Sequence, residues 1–269
     1  MTLFAVMGSP IAHSQSPFIH ETFGRLLGLP VRYERRLVPS GDLPAALARF
    51  REEGGVGVNI TVPLKSEAFA LADRVAPRAQ AARAVNTMHW DGSLLLGDNT
   101  DGAGLVSDLM INQGVALRGR RVFLAGAGGA AQGIIAPLLA EGIESLVLFN
   151  RTRARAAALV ALVADSRVSV AALARDLQPF DIVINATAAG LAGCLPHFPS
   201  GIFKGAVAYD LVYGPRAQGF LSYAKAQGAR LAIDGLGMLV EQAAESFQIW
   251  HGVYPPTAPV LQMLRSGSA

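Results

Sequence analysis

Short apolar runs alternate with amphipathic stretches over the first hundred residues, the pattern expected of an α/β protein. The apolar runs predict strands at residues 3–7, 31–38, 56–61, 85–90 and 93–96. The amphipathic stretches predict helices at residues 17–27, 41–50, 64–75 and 77–84. Asp91-Gly92, between the last two strands, predicts a hairpin turn. Pro17 fits the first position of its helix, and Ser16 before it is a candidate N-cap.

The same alternation continues through the middle of the chain. Strands are predicted at residues 122–125, 146–150, 168–170, 181–185, 206–211 and 230–233. Helices are predicted at residues 103–113, 130–139, 152–163 and 216–227, and a loop rich in Gly and Pro at 188–205. Strands joined by helices in this way predict a doubly wound, Rossmann-like parallel sheet.

Two helical patterns end the chain. Leu239, Ala243, Phe247 and Trp250 recur at spacings of four, four and three residues, which forms one apolar stripe. A final helix is predicted at residues 258–264. Since these helices follow the last strand, we expect them to return to the first domain. The predicted domains are therefore 1–102 with 238–269, and 103–237.

A glycine-rich turn follows the predicted strand at 122–125. Gly126, Gly128 and Ala131 fit the pattern G-x-G-x-x-[GA] that joins a strand to a helix in dinucleotide-binding folds. One glycine allows the tight turn, the next lets a pyrophosphate approach the backbone, and the small third residue lets helix and strand pack closely. The unpaired N–H groups at the helix start then bind phosphate.

The end of the next strand indicates which dinucleotide binds. NAD-binding versions place an Asp or Glu there to hold the ribose 2′-hydroxyl. This chain has Asn150-Arg151-Thr152-Arg153 instead, with Arg155 two residues later. Guanidinium groups suit a 2′-phosphate, so the sequence predicts NADP. The alternative is a purely structural turn beside a solvated arginine cluster.

Composition narrows the class of protein. The 269 residues are 51% hydrophobic and 16% charged, with a net charge of +3 and dispersed basic residues, so neither nucleic acid nor a membrane is an expected partner. The five histidines show no metal-ligand spacing. A single cysteine, Cys194, fits a reducing compartment, and the first eight residues predict a strand rather than a signal peptide. We therefore expect a cytoplasmic protein, a monomer or a homodimer.

Polar residues cluster where four predicted strands end, which is where open α/β sheets bind ligands. The stretches are His13-Ser-Gln-Ser-Pro17, Asn59-Ile-Thr-Val-Pro-Leu-Lys65, Val85-Asn-Thr87 and Gly97-Asp-Asn-Thr-Asp-Gly102. Taken one at a time, helix caps, turn residues and surface charges explain them equally well. Their shared placement beside a dinucleotide fold favours a site for a small polyol or hydroxy acid.

These stretches resemble the shikimate dehydrogenase family. The resemblance extends to Gly126-Ala-Gly-Gly-Ala130, Asn150-Arg-Thr152, Asn185-Ala-Thr187 and Asp234-Gly-Leu-Gly-Met-Leu-Val-Glu-Gln242, in the family's order over nearly the whole chain. It implies reversible, NADP-dependent oxidation of the shikimate 3-hydroxyl to 3-dehydroshikimate. It also implies a substrate domain, an NADP domain and C-terminal helices that return to the first domain.

The resemblance assigns roles to individual residues, and it implies no metal. Lys65 and Asp101 are the implied catalytic pair. The implied substrate ligands are Ser14, Ser16, Thr61, Asn86, Tyr213 and Gln242. The implied cofactor ligands are Gly126, Ala127, Gly128, Gly129, Ala130, Asn150, Arg151, Thr152, Arg155 and Gly235.

Three alternatives stay open on the sequence. A quinate/shikimate dehydrogenase that uses NAD is disfavoured by the missing acid after Phe149. An aminoshikimate or otherwise specialised branch shares most of these residues. A non-catalytic NADP-binding sensor on the same fold would have no reason to keep both Lys65 and Asp101.

Overall fold

The computed structural model describes residues 1–171, 179–187 and 195–267. The chain divides into two compact units, one formed by Met1–Gly104 with Leu239–Ala269 and the other by Leu105–Met238. Residues 188–194 of the predicted loop, which include Cys194, lie outside the described residues. Within them, no helix combines the length and the apolar character needed to cross a membrane.

The first unit is built on a six-stranded mixed sheet. Its strands are β1 (Thr2–Gly8), β2 (Val31–Leu37), β3 (Gly55–Ile60), β4 (Arg74–Val75), β5 (Thr87–Asp91) and β6 (Leu94–Asp98), in the order β2-β1-β3-β5-β6-β4. β1 pairs in parallel with β2 and β3, β5 is antiparallel to β3 and β6, and β4 is parallel to β6. Its first four helices are α1 (Ser16–Leu27), α2 (Leu43–Glu52), α3 (Lys65–Leu71) and α4 (Pro77–Ala82).

The second unit confirms the predicted doubly wound sheet. Its strands are β7 (Arg121–Ala125), β8 (Ser145–Phe149), β9 (Val168–Val170), β10 (Ile182–Asn185), β11 (Val207–Asp210) and β12 (Leu231–Ile233). They lie in the order β12-β11-β10-β7-β8-β9, and each described pair is parallel. α5 (Asp101–Ser107) spans the boundary between the two units and continues into a π-helical turn at Asp108–Asn112. The second unit also contains α6 (Gly129–Ala140), α7 (Arg153–Val163), a 3-10 helix at Gly214–Ala217, and α8 (Gln218–Ala226).

Both faces of this second sheet are covered. Val122 and Leu124 of β7 lie in one buried apolar cluster, and Phe123 and Ala125 lie in another. Successive side chains of a strand point to opposite faces, so the continuous apolar run of β7 is the pattern of a strand buried on both sides. The dinucleotide turn thus follows a strand in the middle of a packed sheet.

The chain ends in α9 (Leu236–His251) and α10 (Thr257–Arg265). Trp250 stacks on Phe4 of β1 with ring centroids 4.7 Å apart, and Phe247 meets Phe23 of α1 edge to face at 5.6 Å. A Cβ atom at Gly57 would lie 2.7 Å from the Trp250 Nε1 atom, so a glycine is needed beneath this ring. The C-terminal helices return to the first unit, as predicted.

Three local predictions were wrong. The helix predicted at 64–75 ends at Leu71, because Arg74 and Val75 pair with β6 as a short strand. The helix predicted at 103–113 becomes a π-helical turn after Ser107. Ser16 is not a helix cap: α1 begins at Ser16, and Gln15 holds the cap position without a side-chain hydrogen bond. The Ser16 hydroxyl is therefore not used to cap the helix.

Candidate active site

Lys65 and Asp101 form an ion pair in the first unit. Lys65 is the first residue of α3, soon after β3, and Asp101 is the first residue of α5, soon after β6. The Lys65 Nζ atom donates to the Asp101 Oδ2 atom, and the two side chains are only 16% and 9% exposed. Partial removal from water strengthens the interaction between the ammonium group and the carboxylate.

Asn86 lies at the centre of the hydrogen bonds around this pair. Its Nδ2 atom lies 2.8 Å from the Asp101 Oδ1 atom, 2.9 Å from the Thr100 Oγ1 atom and 3.3 Å from the Gln242 Oε1 atom. Its Oδ1 atom accepts from the Thr100 backbone N–H at 2.8 Å. Asn86 is 2% exposed, so these contacts fix its side chain. They leave the other Asp101 oxygen to face Lys65.

A second set of buried polar residues forms hydrogen bonds with one another and with the backbone of Asn86. The Asn59 Nδ2 atom lies 3.1 Å from the Thr87 Oγ1 atom, 3.0 Å from the Ser246 Oγ atom and 3.2 Å from the Asn86 carbonyl oxygen. The Asn59 Oδ1 atom accepts from the Tyr33 hydroxyl at 2.7 Å. Buried polar groups that satisfy one another hold a single arrangement. We call Tyr33, Asn59, Thr87 and Ser246 the support network.

Ser14 and Ser16 form a hydroxyl pair just before and at the start of α1. The Ser14 Oγ atom donates to the Ser16 Oγ atom at 3.1 Å and accepts from the Ser16 backbone N–H at 3.3 Å. Burial raises the pKa of Tyr33 well above its usual value, and the neighbouring Ser16 hydroxyl opposes that shift. Tyr33 therefore connects the serine pair to the support network. Thr61, half-buried after β3, donates its backbone N–H to Met7 at 2.9 Å.

The glycine-rich turn in the second unit leaves room for a ligand beside the backbone. Gly126 has a φ of +116°, and a Cβ atom there would lie 2.7 Å from the Ala186 carbonyl oxygen, so a side chain is excluded. A Cβ atom at Gly128 or Gly129 would meet nothing within 4 Å. Because α6 begins at Gly129, its free N–H groups border this space, which fits a pyrophosphate.

Basic residues surround the start of α7. Arg151 and Arg155 are exposed, and the Asn150 Nδ2 atom donates to the Thr152 carbonyl oxygen at 2.9 Å, which fixes the turn after β8. No carboxylate ends β8, whose last residues are followed by Asn150 and Arg151. The donor set fits an added phosphate on the ribose rather than a free hydroxyl.

A buried carboxyl group lies at the end of β11. Burial raises the pKa of Asp210 to about 6; hydrogen bonds from the Val212 N–H and Asn185 oppose this shift, and Asp234 adds to it. Asn185 in turn accepts from the Thr187 hydroxyl at 2.8 Å, just after the Ala186 carbonyl that faces Gly126. The hydrogen bonds of Asp210 and Asn185 therefore hold the turn after β10 next to the glycine-rich turn.

The predicted site residues fall into sets. Lys65, Asp101, Asn86 and Gln242 lie together in the first unit, and Ser14 and Ser16 form their own pair there. Two predicted substrate ligands remain. Thr61 follows β3 in the first unit, and Tyr213 lies in the second unit, where the adjacent Gly214 N–H donates to Asp234 at 2.9 Å. Gly235 follows β12, and a Cβ atom there would overlap the Leu211 carbonyl oxygen.

Family comparisons cover most of the chain. A model described as the shikimate dehydrogenase substrate binding domain matches residues 6–88, and one described as shikimate / quinate 5-dehydrogenase matches residues 109–192. The shikimate 5'-dehydrogenase C-terminal domain matches residues 235–265. The chain is also 53% identical over 264 residues to the shikimate dehydrogenase (NADP(+)) of Alkalilimnicola ehrlichii, covering 97% of this chain and 98% of that protein.

Solved structures agree with this match. An Ael1 enzyme from Pseudomonas putida is 43% identical, with a TM-score of 0.93 over 98% of each chain. Shikimate 5-dehydrogenase from Thermus thermophilus, in complex with NADP(H) and shikimate, is 36% identical, with a TM-score of 0.86 over 99% of each chain. With sequence and fold both matched over almost the full length, the chain belongs to the shikimate dehydrogenase family.

Proposed function

We propose that this protein catalyses the reversible, NADP-dependent reduction of 3-dehydroshikimate to shikimate. The observation that carries the proposal is the largely buried Lys65–Asp101 pair, held in place by Asn86. An ammonium group and a carboxylate beside hydroxyl and amide donors suit proton transfer to and from an alcohol. The relatives' shared name supplies the substrate, a small hydroxy acid of the kind these donors fit.

Lys65 and Asp101 carry out the proton transfer in this proposal. As shikimate is oxidised, the neutral amine of Lys65 accepts the proton of the 3-hydroxyl and becomes an ammonium group, and in the reverse direction the ammonium group donates that proton to the carbonyl oxygen being reduced. Asp101 keeps the Lys65 Nζ atom directed at that oxygen in either protonation state, because its own position is fixed by Asn86. The pair thereby places a proton donor at the reacting oxygen, which accelerates either direction.

The substrate ligands divide according to the part of shikimate that they bind. The Ser14 and Ser16 hydroxyls hold the carboxylate. Asn86 and Gln242, which form a hydrogen bond with each other, bind the ring hydroxyls. Thr61 and Tyr213 complete the predicted set of substrate ligands.

NADP, when bound, supplies the hydride carrier for C3. The backbone from Gly126 to Ala130 holds the pyrophosphate, where no Cβ atom blocks its approach at Gly128 and Gly129. Asn150, Arg151, Thr152 and Arg155 hold the adenosine ribose and its 2′-phosphate, and Gly235 lies near the nicotinamide. On this proposal residues 1–102 and 238–269 bind the substrate, and residues 103–237 bind NADP.

We place this reaction in the cytoplasm, since a single cysteine among 269 residues fits a reducing compartment. The protein acts as a monomer or homodimer.

The proposed function is tested by initial rates with shikimate and quinate, each with NADP⁺ and with NAD⁺. We expect activity to be largely confined to shikimate with NADP⁺. Comparable rates with quinate or NAD⁺ would assign the protein to a branch of broader specificity. NADP⁺ binding without turnover of either acid would contradict the proposal and favour a specialised substrate or a sensor.

Arg151→Ala should weaken the binding of NADP⁺ far more than the binding of NAD⁺, because only NADP⁺ carries the 2′-phosphate. We expect the KM for NADP⁺ to rise about tenfold to hundredfold, the size of one lost charge-assisted hydrogen bond. The KM for NAD⁺ should stay within about twofold, since no such bond is lost. Arg230→Ala removes another exposed arginine of the second unit and serves as the control. Equal losses for both cofactors would show that Arg151 does not bind the phosphate.

A further inference from the structure

Strand β2 places one arginine beside the serine pair. β2 is an edge strand of the first sheet, and its side chains alternate between two faces. Tyr33 and Arg35 share one face, whereas Arg32, Glu34 and Arg36 share the other. Tyr33 lies next to Ser16, and the Arg35 Nε atom donates to the Ser14 carbonyl oxygen at 2.8 Å. One face of β2 therefore contacts both serines.

Arg35 differs from the other two arginines of β2 in its ion pairing. Arg32 and Arg36 both pair with Glu34, at 2.5 and 2.6 Å, and Arg36 also pairs with Glu53. Arg35 makes no ion pair in the part of the chain that the structure describes. Its side chain is held by a backbone carbonyl, so a full positive charge stays beside the Ser14–Ser16 segment.

The serine pair by itself is a neutral site. The two hydroxyls can donate to a carboxylate, but they bring no charge to offset its loss of water. Because the hydrogen bond from Arg35 to Ser14 uses the Nε atom, the terminal N–H groups of the guanidinium can donate to an anion. Hydrogen bonds that involve charged groups are about twice as strong as neutral ones.

We propose that Arg35 determines specificity for the substrate's carboxylate. It fixes the Ser14–Ser16 segment through the Ser14 carbonyl group and supplies the positive charge that makes this subsite prefer an anion to a neutral group. This inference rests on the proposed function, in which the serines hold the carboxylate of shikimate.

The test compares shikimate with its primary amide, a neutral molecule of the same shape. Each is measured as substrate or competitive inhibitor at saturating NADP⁺ and low ionic strength. For Arg35→Gln we expect the KM of shikimate to rise about tenfold, the size of one charge-assisted hydrogen bond. Binding of the amide should change less than about twofold, because no ionic contact is lost. Added salt should weaken shikimate binding to the wild type more than to the variant.

Two further variants separate charge from local structure. Arg32→Gln removes a charge from the opposite face of the same strand and should leave the acid-to-amide ratio at the wild-type value. Arg35→Lys keeps the charge and should keep most of the preference for the acid. Two results for Arg35→Gln would overturn the inference, because both leave the acid-to-amide ratio unchanged. Equal losses for acid and amide would make Arg35 a structural residue, and no loss for either would show that Arg35 does not affect substrate binding. If the wild type does not oxidise shikimate, the proposed function itself fails.

Discussion

Lys65→Met is expected to lower kcat by about a thousandfold, within the range for loss of a general acid or base. Methionine keeps the length and much of the volume of lysine but cannot carry a proton. The KM for shikimate should change by less than about fivefold, since the carboxylate and ring hydroxyls keep their other ligands. Steady-state rates in both directions, with shikimate binding followed by titration, measure the two effects separately.

Lys225→Met is the matched control, because Lys225 is exposed near the end of α8. It should leave kcat and KM unchanged. A near-normal kcat for Lys65→Met would show that Lys65 does not take part in the proton transfer. A large loss of substrate affinity with little loss of kcat would make it a binding residue instead.

Gly126→Ala is expected to destabilise the second unit and to prevent NADP⁺ binding. A φ of +116° is strained for alanine, and the new Cβ atom would lie 2.7 Å from the Ala186 carbonyl oxygen. Together these effects should reduce the free energy of unfolding by about 2–4 kcal/mol, since strain of this kind costs about 1–3 kcal/mol before the overlap is added. Urea unfolding followed by circular dichroism measures this loss.

Gly128→Ala separates cofactor binding from folding. Gly128 has a φ of −98°, which any residue adopts, and its Cβ atom would point into open space. Stability should therefore stay within about 0.5 kcal/mol of the wild type, as for substitutions away from special features. NADP⁺ binding should weaken about tenfold or more, because the methyl group occupies the approach of the pyrophosphate. Normal NADP⁺ binding by Gly128→Ala would contradict the assignment of this turn.

The sequence pattern predicted the core of the second unit well because its signals are local. The apolar run before Gly126, the glycine spacing and the helix after it lie within twenty residues of one another, and all appear as predicted in β7 and α6. Arg74 and Val75 show the limit of such signals. Two residues are too few to show the alternating pattern of a strand, and Arg74 and Val75 form a strand because they pair with β6.

No signal in the sequence links the members of the support network to one another. Asn59 bonds to Tyr33 across 26 positions and to Ser246 across 187. A single sequence carries no record of such distant partners. Asn59 and Thr87 were visible only as members of short motifs, and Tyr33 and Ser246 look like ordinary strand and helix residues. Lys65 and Asp101 were paired by family resemblance, since neither spacing nor periodicity links them.

The discontinuity of the first unit constrains the order in which the chain folds during synthesis. Residues 1–104 leave the ribosome before residues 105–269, but Trp250 and Phe247, whose rings pack on Phe4 and Phe23, are made only after the whole second unit. The second unit is continuous from Leu105 to Met238, so all of its partners are present earlier. Domains fold as units once their contacts are available. Of the two units, the one that begins to emerge first is therefore the one completed last, and a chain truncated before α9 lacks the Trp250 and Phe247 rings that pack on Phe4 and Phe23.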